Sequence, residues 1–312
     1  MDNSWLYNIQ NVTELTAIAC HDWIGKGDDY SADKIAVNTM RKNLNQLPMN
    51  GTVIIGEGER DKAPMLYIGE KLGAGGEDID IAVDPLEGTS ICSRGDDGSM
   101  IVIAISTCNS FLCAPDLYMQ KIAISAKYPK NIIDINYSAK DNILSLARYK
   151  KCNPSDIVVM ILDRERHYDM IEDIRSIGSK IKLIIDGDIN AVISAALSDN
   201  DVDIYIGIGG APEGVLAASA LKCIGGIMQA KLLFNDNIAV LRAKSMGILD
   251  INKVYEVEDL VKKDVIFAAT GVTSGLLVSG IKKNYDQFTT ETLLLSSAKR
   301  MSHKIRTTRY KL

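Results

Sequence analysis

The chain is predicted to be an α/β protein with two halves, an α+β half over residues 1–150 and a parallel α/β half over residues 151–312. Before about residue 139, apolar runs of strand length mix with amphipathic helices in no fixed alternation. After it, short apolar runs alternate with helical patterns, the rhythm of parallel βαβ units. A third observation points to function. Almost every predicted strand ends in acids, arginines or glycines, and in such sheets ligands sit beyond the carboxyl ends of the strands.

In order, Val12, Leu15, Ile18, Ala19 and Trp23 recur at helical spacing and predict a helix over 11–24. Ser31 is expected to cap a second helix with Ile35, Val37, Met40 and Leu44 on its inner side, which places Asp33 in the first turn. Gly51 to Ile55 reads as a buried strand, followed by Gly56-Glu57-Gly58-Glu59-Arg60-Asp61. Pro64 opens a short helix over Met65–Leu72. The run Ile79 to Val83 is a strand expected to stop at Asp84-Pro85, because proline has no N–H for a ladder. Further strands are read at 99–106 and 121–126, then at 156–162, 181–186 and 202–208, with helices near 139–149, 166–178, 189–197 and 212–223. The remainder has a strand-like 227–233, a helix near 238–246, a buried strand over 265–269 and an alternating segment over 290–308. Lys299, Arg300, Lys304, Arg306, Arg309 and Lys311, near the end, are expected on the wet face of an edge strand, which basic residues protect from further pairing.

Composition narrows the function classes. A net charge of −5 gives no global field for nucleic acid, so phosphate would have to be bound by local devices. The longest apolar runs, Met100 to Ile105 and Ile157 to Leu162, are far too short to cross a bilayer, and no basic segment with a long apolar core opens the chain. The six cysteines form no CxxC pair, as expected of reduced thiols in a cytoplasmic protein. With three isolated histidines, a metal would have to be held by oxygen, which favours Mg²⁺ or Mn²⁺.

Two phosphate motifs fail. No GxxxxGK[ST] is present, and Gly207-Ile208-Gly209 is followed by Pro212 where a dinucleotide fingerprint needs glycine. Glu213 then puts a carboxylate where a pyrophosphate would sit, which repels phosphate unless a cation lies between them. With a cation the pattern makes sense. Asp33, Glu57, Asp84, Glu87 and Glu213 each stand at a helix start or past a strand end. Brought together, like charges raise one another's pKa and call for divalent ions, which lower the pKa of bound water and clamp both oxygens of a phosphoryl transfer. Thr89 is placed to orient that water, and the amides around Gly88–Ser90 to hold phosphate oxygens. Arg164 and Arg166 can reach a second phosphate from one loop, though alone they read as a surface pair. Asp186 and Asp188 can accept from sugar hydroxyls, or cap a helix; Tyr118 and His167 carry little alone, and His167 reads as a satisfied surface residue.

The motifs Gly56-Glu57-Gly58-Glu59, Ala63-Pro64-Met65-Leu66-Tyr67-Ile68-Gly69-Glu70, Asp80 to Thr89, Asp186-Gly187-Asp188 and Gly207 to Gly214 resemble those of the bacterial class II fructose-1,6-bisphosphatases. Gly271 with Thr273, and Thr290 to Leu295, continue the resemblance over nearly the whole chain. It implies the lithium-sensitive, metal-dependent sugar-phosphatase superfamily and a layered αβαβα sandwich. It also implies hydrolysis of the 1-phosphate of fructose 1,6-bisphosphate in gluconeogenesis, with Mn²⁺ or Mg²⁺. Carried over, Asp33 and Glu57 resemble ligands of one metal, and Asp84, Glu87 and Glu213 ligands of another. Thr89 matches the threonine that positions water, and Asp61 an acid supporting it. Glu87-Gly88-Thr89, Tyr118, Arg164-Glu165-Arg166, Asp186-Gly187-Asp188 and Gly210 match substrate contacts. Three departures stand out: Asp29 where family members often carry lysine, Glu165 where proline is common, and a short segment after Leu233. The alternatives are a phosphatase of sedoheptulose 1,7-bisphosphate, inositol phosphate or another sugar phosphate, or an inactive metal- or anion-binding regulator, which would show a gap in the acidic set. A homo-oligomer, dimer or tetramer, is expected, with no nucleic acid and no membrane as partners.

Overall fold

The apolar run Ile79–Val83 becomes the middle of an eleven-residue strand, and the first of two sheets is built around it. The structure, a computed structural model, describes residues 2–57, 65–197 and 201–310. The elements are, in chain order, α1 (Ser4–Cys20), α2 (Asp29–Leu44), β1 (Met49–Ile55), β2 (Lys71–Leu72), β3 (Glu77–Glu87), α3 (Thr89–Arg94), β4 (Met100–Thr107) and β5 (Tyr118–Ile124). There follow α4 (Ala139–Lys150), β6 (Val158–Leu162), α5 (Tyr168–Ser176), β7 (Lys180–Ile184), α6 (Asp188–Ala196), β8 (Ile204–Gly210), α7 (Ala211–Ile224) and β9 (Ile227–Leu232). The chain closes with α8 (Asn237–Ser245), β10 (Val254–Glu256), α9 (Val257–Leu260), β11 (Val265–Gly271), β12 (Lys282–Asn284), β13 (Gln287–Ser296) and β14 (Met301–Tyr310). The class is α/β, with two mixed sheets and their helices.

Two compact units result, one of residues 1–112 with 261–312 and one of residues 113–260. The boundary expected at residue 150 is therefore misplaced. The C-terminal strands return to the first sheet, where β11 pairs antiparallel with β4 from Val265↔Ser106 to Gly271↔Met100. Local periodicity marks both strands but carries no information about which distant strand each one pairs with.

In the first unit the sheet order is β12-β13-β11-β4-β3-β1-β2, with β14 paired to β13 and only β1 and β3 parallel. Helices α1 and α2 cover one face. Trp5, Ile9, Val12, Val37 and Met40 pack against alternate residues of the strands, Ile79, Ile81 and Val83 on β3 and Ile101, Ile103 and Ile105 on β4. Helix α1 begins seven residues before its expected start because the Asp2 carboxylate accepts from Ser4 N–H (2.8 Å), letting Trp5 and Ile9 join the apolar stripe.

The last strand is fastened by a buried acid. Glu14 on α1 is fully buried, and Arg309 donates to it through Nε (2.8 Å) and Nη2 (2.6 Å) while Thr307 and Gln10 bond its other oxygen (2.7 and 2.8 Å). Among the described residues β13 is the one strand that pairs with β14, so β14 is an edge strand, with Lys304 and Arg306 exposed as expected and Arg309 the exception. Arg309→Ala strands a buried carboxylate and is expected to lower the unfolding free energy by about 3 kcal/mol in a denaturant titration.

In the second unit the order is β10-β9-β5-β8-β6-β7. Only β7, β6 and β8 are parallel; β5, β9 and β10 run antiparallel, so the βαβ rhythm describes half of this sheet. Ile122 and Ile124 of β5 join Ile143 and Leu146 of α4 and Ile171 and Ile174 of α5 in one core. The alternate residues Met119 and Lys121 face α7 and α6. Period-2 alternation on one strand thus separates an apolar layer from one that carries a buried charge.

Candidate active site

The first unit supplies acids from three elements. Strand β3 does not stop at Asp84-Pro85 but runs on to Glu87, which corrects the sequence expectation. Asp84 pairs with Val102 and Glu87 with Met100, three steps on β3 against two on β4, so one extra residue is bulged out there. A bulge needs no ladder N–H at that point and so accommodates Pro85. It also has a chemical consequence. Met100 and Val102 lie on one face of β4, so their partners Glu87 and Asp84 share a face, which a regular strand would deny to residues three apart. Glu87 is buried and Asp84 half-buried, with the Asp84 carboxylate accepting from Leu86 N–H (3.1 Å).

Helix α2 brings Asp33. Its cap is Asp28, whose carboxylate accepts from Ser31 N–H (2.9 Å), so Ser31 is the capped residue rather than the cap, and Asp33 falls in the second turn. Glu57 lies just past β1 and is anchored on both sides of Leu66: its N–H donates to the Leu66 carbonyl and its carboxylate accepts from the Leu66 N–H, both 3.1 Å. The expected helix over Met65–Leu72 is absent; residues 65–70 are irregular and Lys71–Leu72 pair with β1. Tertiary bonds override the helical pattern here. The Arg41 guanidinium on α2 grips Glu70 (Nε 2.6 Å, Nη2 3.1 Å) and bonds the Met65 carbonyl, which fixes the segment that presents Leu66 to Glu57. Asp61 lies outside the described residues.

The electrostatics of these acids is unbalanced. Burial, then the charges of Asp33 and Asp84, push the Glu57 carboxyl up to about 9, and burial raises Asp33 as well. Without a cation, Glu57 keeps its proton and shares it with Asp33. Among the described residues no group of three or more histidines, cysteines or acids is gathered tightly enough to hold one ion, so the acids are present as neighbouring carboxylates rather than a closed ligand shell. The donor set nevertheless fits a hard divalent ion: all oxygen, half-buried or buried, and carrying more negative charge than the site can leave ionised.

Thr89 follows Gly88, which is left-handed at φ 73°, and opens α3. Its hydroxyl donates to the Leu86 carbonyl (2.9 Å), so its oxygen lone pairs are turned outward as acceptors. Behind it the Glu87 carbonyl accepts from Ser99 Oγ (3.0 Å), and the N–H groups of Gly98 and Ser99 donate to buried Thr273 Oγ1 (3.0 and 2.9 Å). Thr273 on the returning C-terminal segment thereby braces the Glu87-Gly88-Thr89 turn, a role that could not be read without the β11–β4 pairing.

The second unit carries the other candidates. Tyr118 opens β5, and the Arg166 guanidinium lies 4.7 Å over its ring. Arg166 Nε and Nη2 both donate to the Ile208 carbonyl (3.0 and 2.8 Å). Arg164, Glu165 and Arg166 are all exposed. His167 is satisfied as expected but fully buried rather than at the surface. Its Nδ1 bonds the Leu162 carbonyl and its Nε2 accepts from Ile208 N–H (both 2.8 Å), which fixes a neutral ring, and burial lowers its pKa. Both backbone groups of Ile208 are thus satisfied by one loop, which locks Arg166 to the end of β8.

Gly187, left-handed at φ 88°, caps α6, with half-buried Asp186 before it and buried Asp188 after it. The Asp188 carboxylate pairs with Lys121, which is fully buried and also donates to the Gly210 carbonyl (2.8 Å). The sequence reading passed over Lys121; a lysine inside the apolar run of β5 was the available sign that a buried counter-ion had to exist. Gly210 caps α7, and a Cβ there would collide with the Glu213 carboxylate, which folds back over it from the first turn. No described helix is long and apolar enough to cross a membrane.

The family model described as bacterial fructose-1,6-bisphosphatase, glpX-encoded, matches residues 3–309. A relative from Synechococcus sp. (strain JA-3-3Ab), named D-fructose 1,6-bisphosphatase class 2/sedoheptulose 1,7-bisphosphatase, is 42% identical over 96% of this chain and 94% of its own. A fructose-1,6-bisphosphatase class 2 from Haemophilus influenzae is 40% identical over 99% of this chain and 97% of its own. Among solved structures, an inositol monophosphatase from Anabaena (Nostoc) sp. PCC 7120 aligns at TM-score 0.38 and 10% identity over 78% of this chain and 95% of that one, a likeness too loose to argue from.

Proposed function

The chain belongs to the bacterial, glpX-encoded fructose-1,6-bisphosphatase family, and on that premise we propose that it is a metal-dependent phosphoric monoester hydrolase that converts fructose 1,6-bisphosphate to fructose 6-phosphate and inorganic phosphate. The observation that supports the reading is the set of neighbouring carboxylates Asp33, Glu57 and Asp84, in which burial and the charges of the other two push the Glu57 carboxyl up and call for a cation. Asp33 and Glu57, and Asp84, Glu87 and Glu213, are the proposed metal ligands, with Mn²⁺ or Mg²⁺ as the ion. A bound divalent ion would lower the pKa of water and offset the charge that develops on the phosphoryl oxygens.

The chain's own residues supply the rest. Thr89, its proton committed to Leu86, accepts a hydrogen bond from the attacking water and points its oxygen at phosphorus. Asp61 is proposed to support that water. Gly88 lets the backbone approach the transferred phosphoryl group, and Glu87 contacts substrate from the same turn. Arg166, held by Tyr118 and Ile208, has Nη1 without a protein partner among the described residues and offers that edge to the distal 6-phosphate, with Arg164 beside it in the loop. Glu165, Tyr118, Gly210 and the Asp186-Gly187-Asp188 turn complete the proposed substrate contacts. The fructose 6-phosphate product, identified by NMR, tests the choice of phosphate: fructose 1-phosphate in its place would reverse the assignment of the two ends.

Relatives named for both activities favour a second substrate, sedoheptulose 1,7-bisphosphate, turned over by the same residues. Arg166→Ala is expected to raise KM for fructose 1,6-bisphosphate by about 10- to 100-fold and KM for p-nitrophenyl phosphate by less than about threefold. Equal effects on the two would show that this loop does not bind the second phosphate. Assembly as a dimer or tetramer is part of the proposal and is read by sedimentation.

A further inference from the structure

Lys121 holds a position that the reaction scheme leaves unexplained. It sits in the middle of β5, paired with Gly207 of β8, with no solvent exposure. An ammonium group is buried only against a counter-charge and with its protons bonded. Two partners supply the counter-charge and two of the three acceptors, the Asp188 carboxylate at the first residue of α6 and the carbonyl of Gly210 at the cap of α7 (2.8 Å). One side chain therefore joins the starts of two helices.

The surroundings are shaped to this contact. A Cβ on Gly209 would fall inside the Asp188 Oδ2 oxygen and close to Lys121 Nζ (3.1 Å), so the residue beside the ion pair has to lack a side chain. The second Asp188 oxygen, Oδ1, is buried with no hydrogen-bond partner among the described residues, so the helix start does not hold this carboxylate; Lys121 does. With the Gly210 carbonyl turned to Lys121, the backbone over which Glu213 folds is fixed as well.

We propose that Lys121 is a positioning residue that ties the Asp186-Gly187-Asp188 turn to the Gly210–Glu213 turn, with the Asp188 carboxylate as its counter-ion. What the two turns contact rests on the sugar-bisphosphatase reading; the tie itself does not.

The test compares the wild-type chain with Lys121→Met, with Lys121→Met/Asp188→Asn and with Gly209→Ala. The double variant removes both buried charges and so guards against simple misfolding. Gly209→Ala keeps both charges and drives them apart. In folded double variant and Gly209→Ala, amide hydrogen exchange at residues 186–190 and 209–215 is expected to quicken by about tenfold or more, while α4 keeps its wild-type rates. In Gly209→Ala, which leaves every proposed substrate contact in place, KM for fructose 1,6-bisphosphate and the Mn²⁺ concentration for half activity are expected to rise together by about tenfold, with kcat within about threefold of wild type. Unchanged exchange at either turn would overturn the tie. Faster exchange with unchanged KM and Mn²⁺ dependence would overturn the positioning role. If the wild type releases no phosphate from fructose 1,6-bisphosphate, the activity proposal fails by itself, and the exchange data still decide whether the tie exists.

Discussion

Thr89→Ala is expected to lower kcat by about 10³-fold while leaving the fold and Mn²⁺ binding intact. The reason is the division of labour on this hydroxyl. Its proton is given to the Leu86 carbonyl, so the oxygen can only accept, and an acceptor aimed at water is what alignment of a nucleophile needs. Structurally the hydroxyl does little else. Alanine is a better helix former at the first position of α3, and the lost bond to Leu86 costs about 1 kcal/mol. Calorimetric titration with Mn²⁺ should match wild type, and Thr89→Ser, which keeps the hydroxyl, should recover most of the rate. An alanine variant within tenfold of wild type would remove Thr89 from the chemistry.

Glu57→Gln is expected to abolish detectable turnover, a loss of about 10³-fold or more, and yet to stabilise the metal-free protein above pH 5. The sign follows from linkage. In the folded, metal-free protein the Glu57 carboxyl titrates at about 9, above its ordinary value of 4.5. Between these values the native state holds a proton that the unfolded chain has released, so the stability from this group is whole below the unfolded value and drains away as pH rises to about 9. Melting curves with chelator should therefore show Tm falling from pH 5 to pH 9 for wild type. Glutamine cannot ionise, so the variant should lose most of that slope, and saturating Mn²⁺ should flatten it in wild type by neutralising the cluster. A wild-type Tm that rises across this range would show that Asp33, Glu57 and Asp84 do not repel one another as described.

How far the sequence carries such arguments differs from residue to residue. Helices α2, α4 and α7 and strands β4, β6 and β8 were legible because each writes its burial into its own period, as in Ile35-Val37-Met40-Leu44 on α2. The acids drew attention for another reason: Glu57, Glu87 and Glu213 each stand beside a glycine, where packing does not account for a carboxylate. What could not be read was whatever depends on a distant partner. Pro85 was taken as a stop because the bulge that shelters it depends on pairing to β4. Residues 65–72 have a helical pattern, yet Arg41 and β1 bind them in another form. The domain boundary at 150 failed because β11 pairs with β4, some 160 residues earlier, as the Val265↔Ser106 pair shows. Lys121 was overlooked because its counter-ion lies 67 residues away.

The most direct test of the central claim is phosphate release by the purified chain from a panel of sugar phosphates, with Mn²⁺, with Mg²⁺ and with chelator. The panel holds fructose 1,6-bisphosphate, sedoheptulose 1,7-bisphosphate, fructose 6-phosphate and inositol 1-phosphate. Rapid release from the bisphosphates, fructose 1,6-bisphosphate foremost, that vanishes with chelator and returns with the metal is the predicted result. Faster release from inositol 1-phosphate, or no metal-dependent release from any of them, would contradict it.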